Sequence, residues 1–342
     1  MPWLEQLVRR YEHRRWATEN SRRSHPFGWG LEFIGGRQDD PDPHGFLRRF
    51  ASRTVAESDQ WFAAPSAEDY ELHREADGLV LSFTSAVRSP WPENNRVWAR
   101  YFPLPRARAA VVVLPQWNAG WDALTGVCRW LNRLGFSALR VTLPYHSRRA
   151  VQGLYRDNFL VCPNIGLTLQ ANRQAVVDVR QCLRWLEQQG YQRLGILGTS
   201  IGSAIGFIVL AHDRAVRSGV FLHVSTYFGD VVRTGLTTIH VWEPMRPYVT
   251  AEQIRHYWLP ISPFPYLHRL SGTGQRCLMI SGRYDPTFRP EFSEELFRHI
   301  SGNGVAVEIV RLPCGHYSLD RPPFSLMAGW RFGRFLRETL LD

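Results

Sequence analysis

No lysine occurs anywhere in the chain, so all 41 of its basic residues are arginine. So exclusive a preference reads as coding bias rather than as selection for phosphate contacts, although the formal net charge is +10. Five doublets stand out (Arg9-Arg10, Arg14-Arg15, Arg22-Arg23, Arg48-Arg49 and Arg148-Arg149), but the other arginines are scattered, and no basic-plus-aromatic binding module is recognisable. Nucleic acid is therefore not an expected partner. Cysteine is scarce. The five cysteines (Cys128, Cys162, Cys182, Cys277 and Cys314) are odd in number and widely spaced, which argues against a disulfide framework or a zinc site and leaves them as small core residues. The amino-terminal stretch is charged throughout and has no apolar run of the kind that directs secretion, so the expected compartment is the cytoplasm. One uncharged run, 194–211, reaches the length of about 18 residues at which a membrane span is considered. Its Gly195, Gly198, Thr199, Ser200, Gly202, Ser203 and Gly206 make a poor lipid-facing helix, and it holds no G-x-G-x-x-G loop for a dinucleotide.

What is present is ordinary globular composition, 44% hydrophobic and 21% charged over 342 residues, with ample length for a large core. Residues 1–75 read as a helical extension. Trp3, Leu4, Leu7, Val8, Tyr11 and Trp16 recur at helical spacing in a basic segment that packs on the main domain or touches an anionic membrane surface. A breaker cluster at 39–43 precedes a second helix over 45–62. From 76 onward the pattern alternates. Strands are predicted at 79–84, 96–102 (joined as a hairpin), 109–114, 138–143, 194–197, 219–224, 277–280 and 305–310. Helices are predicted at 120–134, 167–189, 290–300 and 324–340, and after the glycine-flanked Ser200. This is an α/β chain with a mostly parallel sheet covered on both faces. Residues 227–273, rich in proline and aromatics, break the rhythm as an insertion where a lid or pocket wall would lie.

Ligand sites in such sheets lie beyond the carboxyl ends of the strands. One strand end carries Gly198-Thr199-Ser200-Ile201-Gly202, where a strand turns sharply into a helix with a serine at the apex. The glycines permit close approach of strand and helix, and the first helical N–H groups, that of Ile201 among them, face the serine and suit an oxyanion. Two further strand ends deliver Asp285, in Gly282-Arg283-Tyr284-Asp285-Pro286, and His316, in Cys314-Gly315-His316. A serine hydroxyl becomes nucleophilic when an imidazole takes its proton, and a carboxylate on the other ring nitrogen fixes the tautomer. Ser200, His316 and Asp285 fit those roles, with Asp230 and Asp320 as alternative acids.

Over about residues 76–342 these motifs resemble the α/β-hydrolase superfamily: GTSIG its nucleophile elbow, GRYDP its acid loop and CGH its terminal histidine loop, in the order Ser…Asp…His. The resemblance implies an eight-stranded, mostly parallel sheet. It also implies a serine hydrolase of the esterase or lipase kind, needing neither metal nor cofactor. Many members carry a His-Gly motif after the strand before the first helix, where this chain has Leu114-Pro115-Gln116-Trp117-Asn118. The second oxyanion donor is then the amide of Gln116 or Trp117, because Pro115 has none. Leu143-Pro144-Tyr145-His146-Ser147-Arg148-Arg149 resembles a loop of little-characterised α/β-hydrolase-domain proteins. It is read either as a substrate contact through Tyr145 and His146, or as a loop pinned by its arginines to the N-terminal region. The expected reaction is cleavage of a small carboxylic ester with an apolar group. Amide hydrolysis by the same triad and a catalytically idle binding scaffold are the alternatives.

Overall fold

The computed structural model describes residues 2–19, 25–152 and 159–342; the Arg22-Arg23 doublet lies outside them. Three helices come first, α1 (Pro2–Thr18), α2 (Pro43–Ala56) and α3 (Ser58–Trp61). Asp42, at the end of the breaker cluster, caps α2 by accepting the Gly45 amide at 2.8 Å. Then follow β1 (Glu71–Glu75), β2 (Gly78–Thr84), β3 (Arg96–Phe102), β4 (Ala109–Leu114), α4 (Thr125–Arg133), β5 (Ser137–Val141), α5 (Ile165–Gln188), β6 (Arg193–Thr199), α6 (Ile201–His212) and β7 (Val216–Leu222). The insertion forms α7 (Phe228–Thr234), α8 (Ile239–Trp242), α9 (Ala251–Tyr257) and two 3-10 turns. β8 (Arg276–Gly282), α10 (Pro290–Gly302), β9 (Ala306–Leu312) and α11 (Phe324–Leu340) complete the chain.

The strands form one sheet in the order β1-β2-β3-β5-β4-β6-β7-β8-β9, antiparallel from β1 to β5 and parallel from there to β9. It has nine strands rather than eight. The additional one, β1, lies within the stretch read as a helical extension. Its sequence Glu-Leu-His-Arg-Glu has no apolar alternation, because an edge strand is selected by its backbone pairing with β2 and not by burial. In the sheet centre both faces are covered. Ala110, Val112 and Leu114 of β4 join the cluster built with α5 and α6, and Ala109, Val111 and Val113 join that built with α4 and α11. Most of the insertion's aromatics, among them Trp242, Tyr257, Trp258 and Tyr266, are buried in the first of these clusters, so they build core. All five cysteines are buried and free. Among the described residues no helix is long and apolar enough to cross a membrane.

The loop after β5 is anchored by its arginines. Arg148 makes a bidentate pair with Glu75 of β1, both contacts 2.6 Å, and Arg149 is wholly buried against Asp178 of α5 at 2.8 Å. Arg149 also donates to the carbonyls of Asn94 and Thr142. Of the two readings of this loop, pinning is the one its contacts carry. Removing one partner of a buried pair leaves the other charge without compensation. Arg149→Met is therefore expected to lower stability by about 3–5 kcal/mol, read from urea denaturation. A loss under about 1 kcal/mol, the worth of an exposed pair, would contradict it.

Candidate active site

β6 delivers its chain to a tight corner and α6 leaves it. At the apex Ser200 has φ 56° and ψ −122°, a conformation that L residues rarely hold. Neither flanking glycine has room for a side chain. A Cβ on Gly198 would lie 2.3 Å from the Gly202 carbonyl oxygen, and one on Gly202 would lie 2.5 Å from that of Leu114. The corner is held from beneath. The Ser200 amide donates to the Leu222 carbonyl at 2.8 Å, and the Ser203 hydroxyl stands 2.8 and 2.6 Å from the carbonyls of Gly198 and Leu222. The Ser200 hydroxyl takes no part in this.

The three residues proposed from strand ends come together. Ser200 Oγ is 3.3 Å from His316 Nε2, and His316 Nδ1 is 3.1 Å from Asp285 Oδ2. Asp285 Oδ1 accepts the amides of Thr287 at 2.7 Å and Phe288 at 2.9 Å, and the Phe288 ring stacks on His316 at an interplanar angle of 1°. Sequence reasoning missed a fourth member. His223, the first residue after β7 with φ 59°, places its Nδ1 2.7 Å from Asp285 Oδ2, without the alignment of a hydrogen bond. Its ring centroid lies 4.6 Å from that of His316. The strand-end rule that led to Asp285 and His316 also leads to position 223. Burial pushes the Asp285 carboxyl towards neutrality, but the charges of His316 and His223 beside it, with the His316 hydrogen bond, outweigh it and hold its pKa well below the ordinary range. His316 is the mirror case. Burial disfavours its charged form, Asp285 beside it more than compensates, with Glu12 and Asp320 adding to that, and its pKa stands above the ordinary 6.5.

Asp285, His223 and His316 also form a group of possible metal ligands, their atoms all within 4.8 Å of one another. Both Asp285 oxygens are already engaged, Oδ1 by two amides and Oδ2 between two imidazoles. Asp230 and Asp320 stand outside this hydrogen-bonded series: Asp230 pairs with Arg255 at 2.7 Å, and Asp320 closes a 3-10 turn after His316.

Ile201 opens α6, where its amide has no acceptor within the helix, and it lines a cavity of about 240 Å³ together with Ser200. Gln116, Trp117 and Asn118 line the same cavity, on the loop packed over Gly202. The Asn118 amide is committed, since it donates to His146 Nε2 at 3.1 Å, which leaves Gln116 and Trp117 as the candidate second donors. The expected substrate contacts from Tyr145 and His146 are corrected. Neither reaches the cavity wall. Tyr145, at φ 64°, turns inward and packs edge-on against Trp91 and Phe159. His146 is wholly buried beneath the Gln116–Asn118 loop, with Nδ1 2.7 Å from the Pro144 carbonyl, and desolvation drives its pKa down to about 3. It remains neutral, with its proton on Nδ1 and Nε2 accepting from the Asn118 amide. The cavity's apolar wall comes from Val161, Ala204, Phe288 and, on α7 of the insertion, Phe228, Val231 and Val232.

No family model matches this chain, and no curated relative matches its sequence. Solved structures do resemble it. An acetyl xylan esterase from Paenibacillus sp. R4 superposes with a TM-score of 0.60 at 14% identity, over 91% of this chain and 99% of the esterase. A Pyrococcus furiosus esterase gives 0.55 at 15% identity, over 81% of this chain and all of its own (100%). The acylaminoacyl peptidase of Pyrococcus horikoshii gives 0.57 at 15% identity over 80% of this chain, which spans only 42% of the peptidase. The likeness is one of fold. The nine-stranded sheet with helices on both faces is the α/β-hydrolase fold.

Proposed function

We propose that the chain is a serine hydrolase that cleaves a carboxylic ester through an acyl-enzyme. The observation that carries this reading is the hydrogen-bonded series Ser200–His316–Asp285, mounted on the strained elbow at the wall of the cavity. His316 Nε2 takes the proton from Ser200 Oγ as that oxygen attacks the ester carbonyl. The developing oxyanion is held by the Ile201 amide and one from Gln116 or Trp117. As the tetrahedral intermediate collapses, His316 returns the proton to the departing alkoxide and the acyl group stays on Ser200. Water, deprotonated by His316, then releases the acid and restores the hydroxyl. The esterases among the structural neighbours support the ester bond, and the apolar wall from α7 supports an apolar acyl or alcohol group.

The test is turnover of p-nitrophenyl esters of increasing acyl length, read against pH. Only neutral His316 accepts a proton, and its pKa lies above 6.5, so kcat/KM should climb through an ionisation above that value and level off once the ring is neutral. A purified chain that hydrolyses none of these esters and takes no label from a fluorophosphonate would refute the reading.

A further inference from the structure

The N-terminal helix α1 carries one residue that packing alone does not explain. Its arginines lie in solvent, yet Glu12 is wholly buried. A buried carboxylate is retained where donors meet it, and here they come from the loop that follows His316. Glu12 Oε2 accepts the Tyr317 amide at 2.8 Å and Oε1 the Ser318 amide at 2.9 Å. Next to Gly315, the residue before His316, the carboxylate sits so close that a Cβ there would lie 2.5 Å from Glu12 Cδ. The Gly315 amide in turn donates to Ser318 Oγ at 2.8 Å. A second acid of the same segment, Glu19, accepts from the Tyr317 hydroxyl at 2.8 Å, and Arg15 and Glu19 line the cavity.

We propose that Glu12 is a positioning residue for the general base: its carboxylate clamps the 315–318 turn from outside the sheet and so sets where His316 Nε2 stands relative to Ser200. The proposal rests on the serine-hydrolase reading above. The first helix is on this account a working part of the site and not a separate extension. Glu12 acts on His316 in a second way, through its charge. The groups that face this imidazole are Ser200 from the elbow, Asp285 after β8, His223 after β7, Glu12 from α1, and Tyr317 and Asp320 from its own turn, with Arg15 and Glu19 on the cavity wall. The anion at position 12 favours the imidazolium that forms as the serine attacks.

The experiment compares full-length wild type, Glu12→Gln and Glu12→Ala. Three readouts are taken: kcat and KM on a p-nitrophenyl ester, the rate of fluorophosphonate labelling, and the His316 ring titration by NMR. Glu12→Ala should lower kcat and the labelling rate by about 10²-fold, the scale that a displacement of a reacting group by about 1 Å can cost, while KM changes little. Glu12→Gln preserves the shape and an acceptor oxygen but removes the charge. It should lose less in kcat, and His316 should titrate at lower pH than in wild type, carrying the acid limb of kcat/KM down with it. If Glu12→Ala fails to fold, Glu12→Gln carries the test. A folded Glu12→Gln with wild-type kcat and an unmoved His316 titration would overturn the proposal. Should wild type itself resist the label and leave the esters intact, the hydrolase reading falls instead, and the ring titration still decides whether Glu12 acts on His316.

Discussion

Ser200→Ala is expected to give a folded protein whose ester turnover has dropped by about 10⁶-fold, the scale of loss when a serine protease loses its nucleophile. Folding should survive because the corner does not use this hydroxyl. The Ser200 amide and the Ser203 side chain make the bonds that hold it, and both persist in the variant. Alanine at φ 56° is no more crowded than serine there. The loss should therefore appear in kcat, with unchanged thermal unfolding and no fluorophosphonate adduct. Residual turnover would come from the oxyanion donors and binding alone. A variant that still hydrolyses the ester within tenfold of wild type would remove Ser200 from the mechanism.

Asp285→Asn should cost about 10⁴-fold in kcat, the scale seen when a triad carboxylate becomes an amide. The surrounding donors dictate how the new amide sits. The amides of Thr287 and Phe288 both point at the Oδ1 position, so they select the amide oxygen there and turn the NH₂ towards His316 and His223. His316 Nδ1 then faces a donor and must accept, which moves the ring proton to Nε2. With its proton on Nε2 the imidazole cannot take one from Ser200. KM should move far less than kcat, since Asp285 does not line the cavity beside Ser200. A loss confined to tenfold would mean that His316 holds its tautomer without the carboxylate.

The reach of the sequence followed the range of the interactions. The elbow was legible because Gly198 and Gly202 act within a single turn, and the central parallel strands because their apolar runs are buried on both faces. The rule that sites gather at strand ends led to Asp285 and His316, and by the same logic would have led to His223. Tyr145 and His146 were misread, since a polar aromatic pair after a strand end has the same signature whether it faces a ligand or the core. The positive φ at Tyr145 sends it inward, and nothing in the local residue types announces that angle. β1 was missed because an edge strand needs no hydrophobic pattern. Glu12 lay furthest out of reach: its partner is 306 positions away, in a helix whose other charges point to solvent.

His146 has a consequence for behaviour in acid. Its folded pKa, about 3, lies far below that of the same imidazole in the unfolded chain, near 6.5. As pH falls from 6.5 towards 3, the denatured ensemble binds a proton that the native state refuses, and this residue's contribution to the folding free energy declines throughout that interval. Below it, protonation strips Nε2 of its lone pair and releases the Asn118 amide. The ledge carrying Gln116 and Trp117 would then lose its underpinning together with the fold.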